Sequence, residues 1–136
     1  MAVTFKFEKV YSGIFGYVRR PVAVVKFQSM KSKKWTRVKM LVDSGADYTL
    51  LPWFLIKDLE IDPEKDCDLF ETRGVGGTAT VYVYKKGLNV KLGDRSFKVP
   101  VGFLKGRDIP PLLGRHKFME KIKTTFHRHK TVFEDS

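Results

Sequence analysis

The stretch Leu41-Val42-Asp43-Ser44-Gly45-Ala46-Asp47-Tyr48-Thr49-Leu50-Leu51-Pro52, LVDSGADYTLLP, decides how the rest of the chain is read. An apolar run ends on Asp43, where burial would penalise an uncompensated charge. A second apolar run, Tyr48 to Pro52, leaves a few residues later. Asp-Ser-Gly alone is a common turn, in which the aspartate side chain accepts from nearby backbone. Between two hydrophobic strands, the same letters describe a tight loop with an acid at its tip and a glycine that permits an unusual backbone.

Outward from this loop the dominant pattern is period-two alternation, which argues for strands. Val38, Met40 and Val42 share one face, with Arg37 and Lys39 opposite. Val3, Phe5 and Phe7 alternate with Thr4, Lys6 and Glu8; Ala23 and Val25 interleave with Val22 and Val24. Leu88, Val90 and Leu92 precede a turn at Gly93-Asp94, and Phe97, Val99, Val101 and Phe103 follow it. The basic cluster KSKKWTRVK, Lys31 to Lys39, reads as a hairpin tip, and TTFHRHKTVF as a final hairpin. Short strands at this spacing predict an all-β barrel or sandwich. Helical signals are few. PWFLIKDLEI offers one or two turns after a proline, and GRHKFMEKIK puts Phe118, Met119 and Ile122 on one stripe of a short C-terminal helix.

The length of 136 residues fits one domain, 1–136. Hydrophobic residues make up 43% and charged residues 30%, which excludes a disordered composition. No apolar run approaches the roughly 20 residues of a spanning helix, so no membrane partner is expected. The N-terminal MAVTFKFEKVY lacks the apolar core of a signal peptide. Cys67 is the sole cysteine, so no internal disulfide forms, and a reducing, cytoplasmic setting is expected. The net charge of +11 would favour acidic partners or nucleic acid, though the basic residues are spread along the chain.

Three segments, in order, resemble the retropepsin-like aspartic proteases. LVDSGADYTLLP is similar to that family's apolar-apolar-Asp-Thr/Ser-Gly-Ala loop, with Ser44 where Thr is commoner. RGVGGTATVYV, Arg73 to Val83, resembles a glycine-rich flap hairpin. IPPLLGRHKF, Ile109 to Phe118, resembles the apolar-apolar-Gly-Arg segment that precedes a C-terminal helix. The resemblance covers most of the chain beyond Val22. It implies a closed acid-protease barrel with one short C-terminal helix, and an aspartic endopeptidase without metal or other cofactor. It also implies that Asp43, Ser44 and Gly45 form the catalytic loop, while Ala46, Asp47, Val75, Gly76 and Gly77 contact peptide substrate. Gly114 and Arg115 would give structural support, Arg115 by pairing with Asp47. That pair reads either as a brace for the loop or as an ordinary surface ion pair. No second Asp-Ser/Thr-Gly occurs in the chain, so catalysis by paired carboxylates implies a homodimer with one Asp43 from each subunit.

The same residues admit other readings. A non-catalytic domain of the same fold could dimerise and bind a peptide. A basic β-barrel could bind nucleic acid weakly, with the tyrosines and lysines of VYVYKK stacking on bases. Gly74, Gly76 and Gly77 lack the Lys-Ser/Thr of a phosphate loop and suit a hairpin tip over a cleft. His127 and His129, two apart, would share a strand face but lack companion metal ligands. GxSxG is absent, so Ser44 is not an elbow nucleophile.

Overall fold

Alternation in the sequence becomes strand pairing along most of the chain. The computed structural model describes residues 1–74 and 77–135; Val75 and Gly76, two of the expected substrate contacts, and Ser136 lie outside the described residues. The strands are β1 (Ala2–Lys6), β2 (Glu8–Tyr11), β3 (Tyr17–Arg20), β4 (Val22–Gln28), β5 (Trp35–Val42), β6 (Thr49–Pro52), β7 (Asp68–Gly74), β8 (Gly77–Leu92), β9 (Arg95–Lys105), β10 (Leu112–Leu113), β11 (Lys123–His127) and β12 (Lys130–Glu134). Two four-residue helices, α1 (Leu55–Asp58) and α2 (Pro63–Asp66), connect β6 to β7. Among the described residues no helix is long and apolar enough to cross a membrane.

The largest sheet runs β4-β5-β10-β6-β9-β8-β7, and β8 also pairs with β4 through Phe27↔Val90, so the sheet returns on itself. The enclosed core takes alternate residues from each strand. Ala23, Val25 and Phe27 of β4, Val38, Met40 and Val42 of β5, and Leu88, Val90 and Leu92 of β8 are all buried. So are Val99, Val101 and Phe103 of β9. Each large side chain contributes about 1.5–3 kcal/mol by leaving water. The β4–β5 hairpin carries the basic cluster at its tip, and its register fixes which β5 residues face inward. Near its midpoint β8 shifts register between Tyr84 and Leu88, and Gly87 sits there with φ +90°.

A second sheet, β1-β12-β11, joins the first strand of the chain to the last. Its β11–β12 hairpin is the one expected from TTFHRHKTVF. The turn residues Arg128 and His129 both have positive φ, so His127 and His129 do not share a strand face as their spacing suggested. Among the described residues no three His, Cys, Asp or Glu side chains gather as metal ligands.

The short C-terminal helix expected over GRHKFMEKIK is instead a single 3-10 turn, Met119–Lys121. Lys117 adopts φ +53°, and the Glu120 carboxylate accepts from the Lys117 N–H at 2.8 Å. The β-forming run Lys123 to Phe126 then begins almost at once, leaving too few residues for a stable α-helix. Phe118, Met119 and Ile122 are nevertheless buried as their stripe required.

Cys67 follows α2, and its thiol is pushed up to about 11, first by burial and then by Asp66, Asp68 and Asp62. Against an ordinary thiol, the reactive thiolate at pH 8 should be about a hundredfold scarcer. Alkylation of the native protein is therefore expected to be slow at pH 8 and still rising beyond pH 10. A rate that levels near pH 9 would show an unperturbed thiol.

Candidate active site

The loop at Asp43 is built by an insertion between its own two flanking strands. β5 delivers Asp43 and β6 leaves after Tyr48, yet the two are not neighbours: β10 lies between them, parallel to β5 and antiparallel to β6. Leu112 pairs with Leu41 on one side and with Leu50 on the other. The Asp43 N–H donates to the Leu113 carbonyl at 3.0 Å. The chain leaving β10 passes along the loop, where Arg115 N–H donates to the Ala46 carbonyl at 3.0 Å and His116 N–H to that of Asp47 at 2.9 Å. The loop is thus held on one flank by backbone hydrogen bonds from the Gly114-Arg115 segment.

Gly114 permits this approach. A Cβ there would lie 2.3 Å from both the carbonyl carbon and oxygen of Tyr48, and 2.9 Å from the Thr49 nitrogen. Its N–H donates to the hydroxyl of Thr49, which is fully buried, at 3.2 Å. Sequence reading passed over Thr49; a polar residue in the apolar run YTLLP was the available signal.

Asp43 itself is half-buried, and Ser44 and Gly45 are exposed. Asp43 Oδ1 accepts from the Gly45 N–H at 2.9 Å, and the Asp43 carbonyl from the Ala46 N–H at 3.1 Å. This is the local turn that an aspartate favours. Gly45 is not among the residues with positive φ, so the unusual backbone expected of it is not its role. A Cβ there would instead press within 3.2 Å of Asp43 Oδ1.

Beside the loop lies a cavity of about 760 Å³, lined by Asp47, Tyr48, Phe70, Glu71, Val83 and His116 among others. All three segments singled out in the sequence border it: the Asp-Ser-Gly loop, the β7–β8 hairpin and the stretch after Gly114. That hairpin runs in register from Asp68↔Val83 to Gly74↔Gly77, and Gly77 has φ +111°. Asp43 is not part of the lining. Tyr48 packs so closely on β9 that a Cβ on Gly102 would come within 2.8 Å of its ring. Burial, with the neighbouring Asp47, raises the Tyr48 phenol above its ordinary value. Of the tyrosines of VYVYKK, Tyr84 is buried and Tyr82 packs on Trp53 with ring centroids 4.8 Å apart.

A sequence model of the aspartyl protease family matches residues 21–116, which span both the Asp43 loop and the Gly114-Arg115 segment. The chain belongs to the aspartyl protease family. Its fold is similar to that of a retropepsin-like aspartic protease from Rickettsia conorii, with a TM-score of 0.68 at 16% identity over 97% of this chain and 98% of the other. It is also similar to that of EIAV protease in complex with an inhibitor, with a TM-score of 0.53 at 22% identity over 78% and 88% of the two chains. Comparison with curated proteins finds no match.

In this member of the aspartyl protease family the Arg115 guanidinium does pair with Asp47, but the two side chains are 49% and 84% exposed. An exposed pair contributes about 0–1 kcal/mol. The backbone bonds from Arg115 and His116 hold the loop regardless of the Arg115 side chain. Arg115→Ala is therefore expected to lower the melting temperature of the dilute chain by no more than about 5 °C. A larger fall in thermal denaturation would show that the guanidinium itself braces the loop.

Proposed function

We propose that this protein is an aspartic endopeptidase, active as a homodimer of one domain per chain, in which Asp43 of each subunit faces a shared water. The observation that carries this reading is the Asp43 loop. An acid stands at the tip of a β-β connection that a third strand splits, with Ser44 and Gly45 exposed on the same tip, where a partner would meet them. A loop built only as a turn has no need of that scaffold.

Two carboxylates brought that close cannot both ionise, so the pair shares one proton. The ionised member takes a proton from the water as its oxygen attacks the scissile carbonyl carbon. The protonated member donates to the carbonyl oxygen. The tetrahedral intermediate then collapses as a proton passes to the leaving nitrogen and the C–N bond breaks. Titration belongs to the pair rather than to either residue.

The neighbours take roles consistent with their places. The Ser44 hydroxyl bonds across the two-fold axis and braces the two loops. The backbone of Gly45 and Ala46, together with Asp47, receives an extended peptide as an added strand. Val75, Gly76 and Gly77 contact the peptide substrate. Gly114 and Arg115 support the loop from behind. The lone Cys67 suits a reducing, cytoplasmic setting.

The test is cleavage. Incubation of the dimer with a mixture of unfolded proteins, followed by mass spectrometry of new termini, is expected to show cuts that Asp43→Asn does not make. A confirmed dimer that cuts nothing at any pH would favour a peptide-binding domain of the same fold.

A further inference from the structure

Residues 8–20, EKVYSGIFGYVRR, are not used by the site described above. They form a two-stranded ribbon, β2–β3, that is a sheet to itself. Its register pairs Lys9 with Arg19 and Tyr11 with Tyr17 on one face, and Val10 with Val18 on the other. Val10 and Val18 are half-buried, whereas Lys9, Arg19, Tyr11 and Tyr17 are exposed. At the tip, Ile14 is 83% and Phe15 81% exposed.

The tip is a built turn. The Ser12 Oγ accepts from the N–H of Phe15 at 2.9 Å and of Ile14 at 3.3 Å, and Ser12 N–H donates to the Gly16 carbonyl at 2.7 Å. Gly13 and Gly16 supply the positive φ values of +80° and +73° that the turn requires. Two large apolar side chains are therefore held out into solvent by an ordered backbone, at a cost in exposed apolar surface.

The chemistry is graded along the ribbon. Ile14 and Phe15 are purely apolar. One register step back, Tyr11 and Tyr17 pack edge to face, with centroids 5.6 Å apart. About 7 Å further come Lys9 and Arg19, with Lys9 Nζ 4.5 Å from the Tyr17 ring centroid. Arg20 follows. Glu8, the one acid in this segment, is engaged by Lys39. Apolar tip, amphipathic tyrosines and basic stem match in order the hydrocarbon, interface and anionic headgroup layers of a bilayer leaflet. The facing like charges of Lys9 and Arg19 also call for an anionic counterpart, since directly opposed cations are unfavourable in a sheet.

We propose that the β2–β3 ribbon is a peripheral anchor for anionic lipid surfaces, with Ile14 and Phe15 entering the leaflet and Lys9 and Arg19 meeting its headgroups. No spanning segment is required; the expectation of no membrane partner rested only on the lack of one. Nucleic acid fits the basic face but gives no use to an aliphatic tip residue, because Ile14 cannot stack. The inference is independent of what Asp43 does.

The test is co-sedimentation of the full chain with phosphatidylcholine vesicles, with and without phosphatidylserine. Binding is expected only to the anionic vesicles and to weaken with salt. Ile14→Ser/Phe15→Ser and, separately, Lys9→Glu/Arg19→Glu should each weaken it at least about tenfold. All four side chains are exposed, so an unchanged melting temperature is expected for both variants. Phe15→Trp should show a blue-shifted tryptophan emission on anionic vesicles. Failure of the wild type to bind, or binding that survives the tip substitutions, would overturn the proposal. So would a single-stranded oligonucleotide binding through this ribbon while vesicles do not, or loss of the dimer in the tip variant, which would place the tip in a subunit contact.

Discussion

Gly114→Ala is expected to cost about 3 kcal/mol or more, seen as a fall in melting temperature of about 10 °C or more. The added methyl would sit 2.3 Å from the Tyr48 carbonyl carbon and oxygen. Those are backbone atoms, so no rotamer change relieves the clash. Either the loop or the segment after β10 must move. Moving the latter strains the bonds from Arg115 to Ala46, from His116 to Asp47, and from Gly114 to the buried Thr49 hydroxyl. A buried acceptor left unpaired adds about 1–3 kcal/mol. Thermal denaturation of wild type and variant checks this, with Arg115→Ala as the contrasting neighbour. A Gly114→Ala protein that melts with the wild type would mean that the two segments do not approach so closely.

The expected effects of these adjacent residues differ because one acts through backbone contact and the other through a solvated side chain. The same division separates what was legible in the sequence from what was not. Val38, Met40 and Val42 point inward because strand periodicity is local and strong. The glycine-rich hairpin and the Asp43 turn are likewise written in short stretches. The placement of β10 between β5 and β6 is not. Leu112 and Leu113 make a two-residue strand with no period to read, and their partners lie some seventy and sixty positions away in sequence. Thr49 was missed for the same reason, since its hydroxyl matters only because Gly114 comes to it. The C-terminal stripe of Phe118, Met119 and Ile122 was read with the right burial and the wrong helix: helical spacing also suits a single turn that hands over to a strand. The β2–β3 ribbon was not set apart, because its isolation follows from the pairing of β1 with β12.

Asp43→Asn is expected to reduce kcat/KM about a thousandfold or more, the scale set by loss of a positioned general acid–base pair. The substitution keeps the shape and the Oδ1 acceptor that receives the Gly45 N–H, and asparagine forms the same local turn. Fold stability should therefore stay within about 0.5 kcal/mol. What is lost is the capacity to exchange a proton with water and with the scissile carbonyl. Peptide cleavage and thermal denaturation on the same preparation separate the two effects. Full activity in a verified Asp43→Asn protein would remove Asp43 from the chemistry; lost activity with a collapsed fold would make it a structural residue.

Mixing wild type with Asp43→Asn subunits tests most directly the claim that two copies of Asp43 make one site. At constant wild-type concentration, and with subunits free to exchange, rising amounts of the variant should divert active chains into mixed dimers. Activity is expected to fall to about half at equal amounts and toward zero in excess. Undiminished activity in the presence of excess Asp43→Asn, with mixed dimers demonstrated by native mass spectrometry, would contradict a shared site.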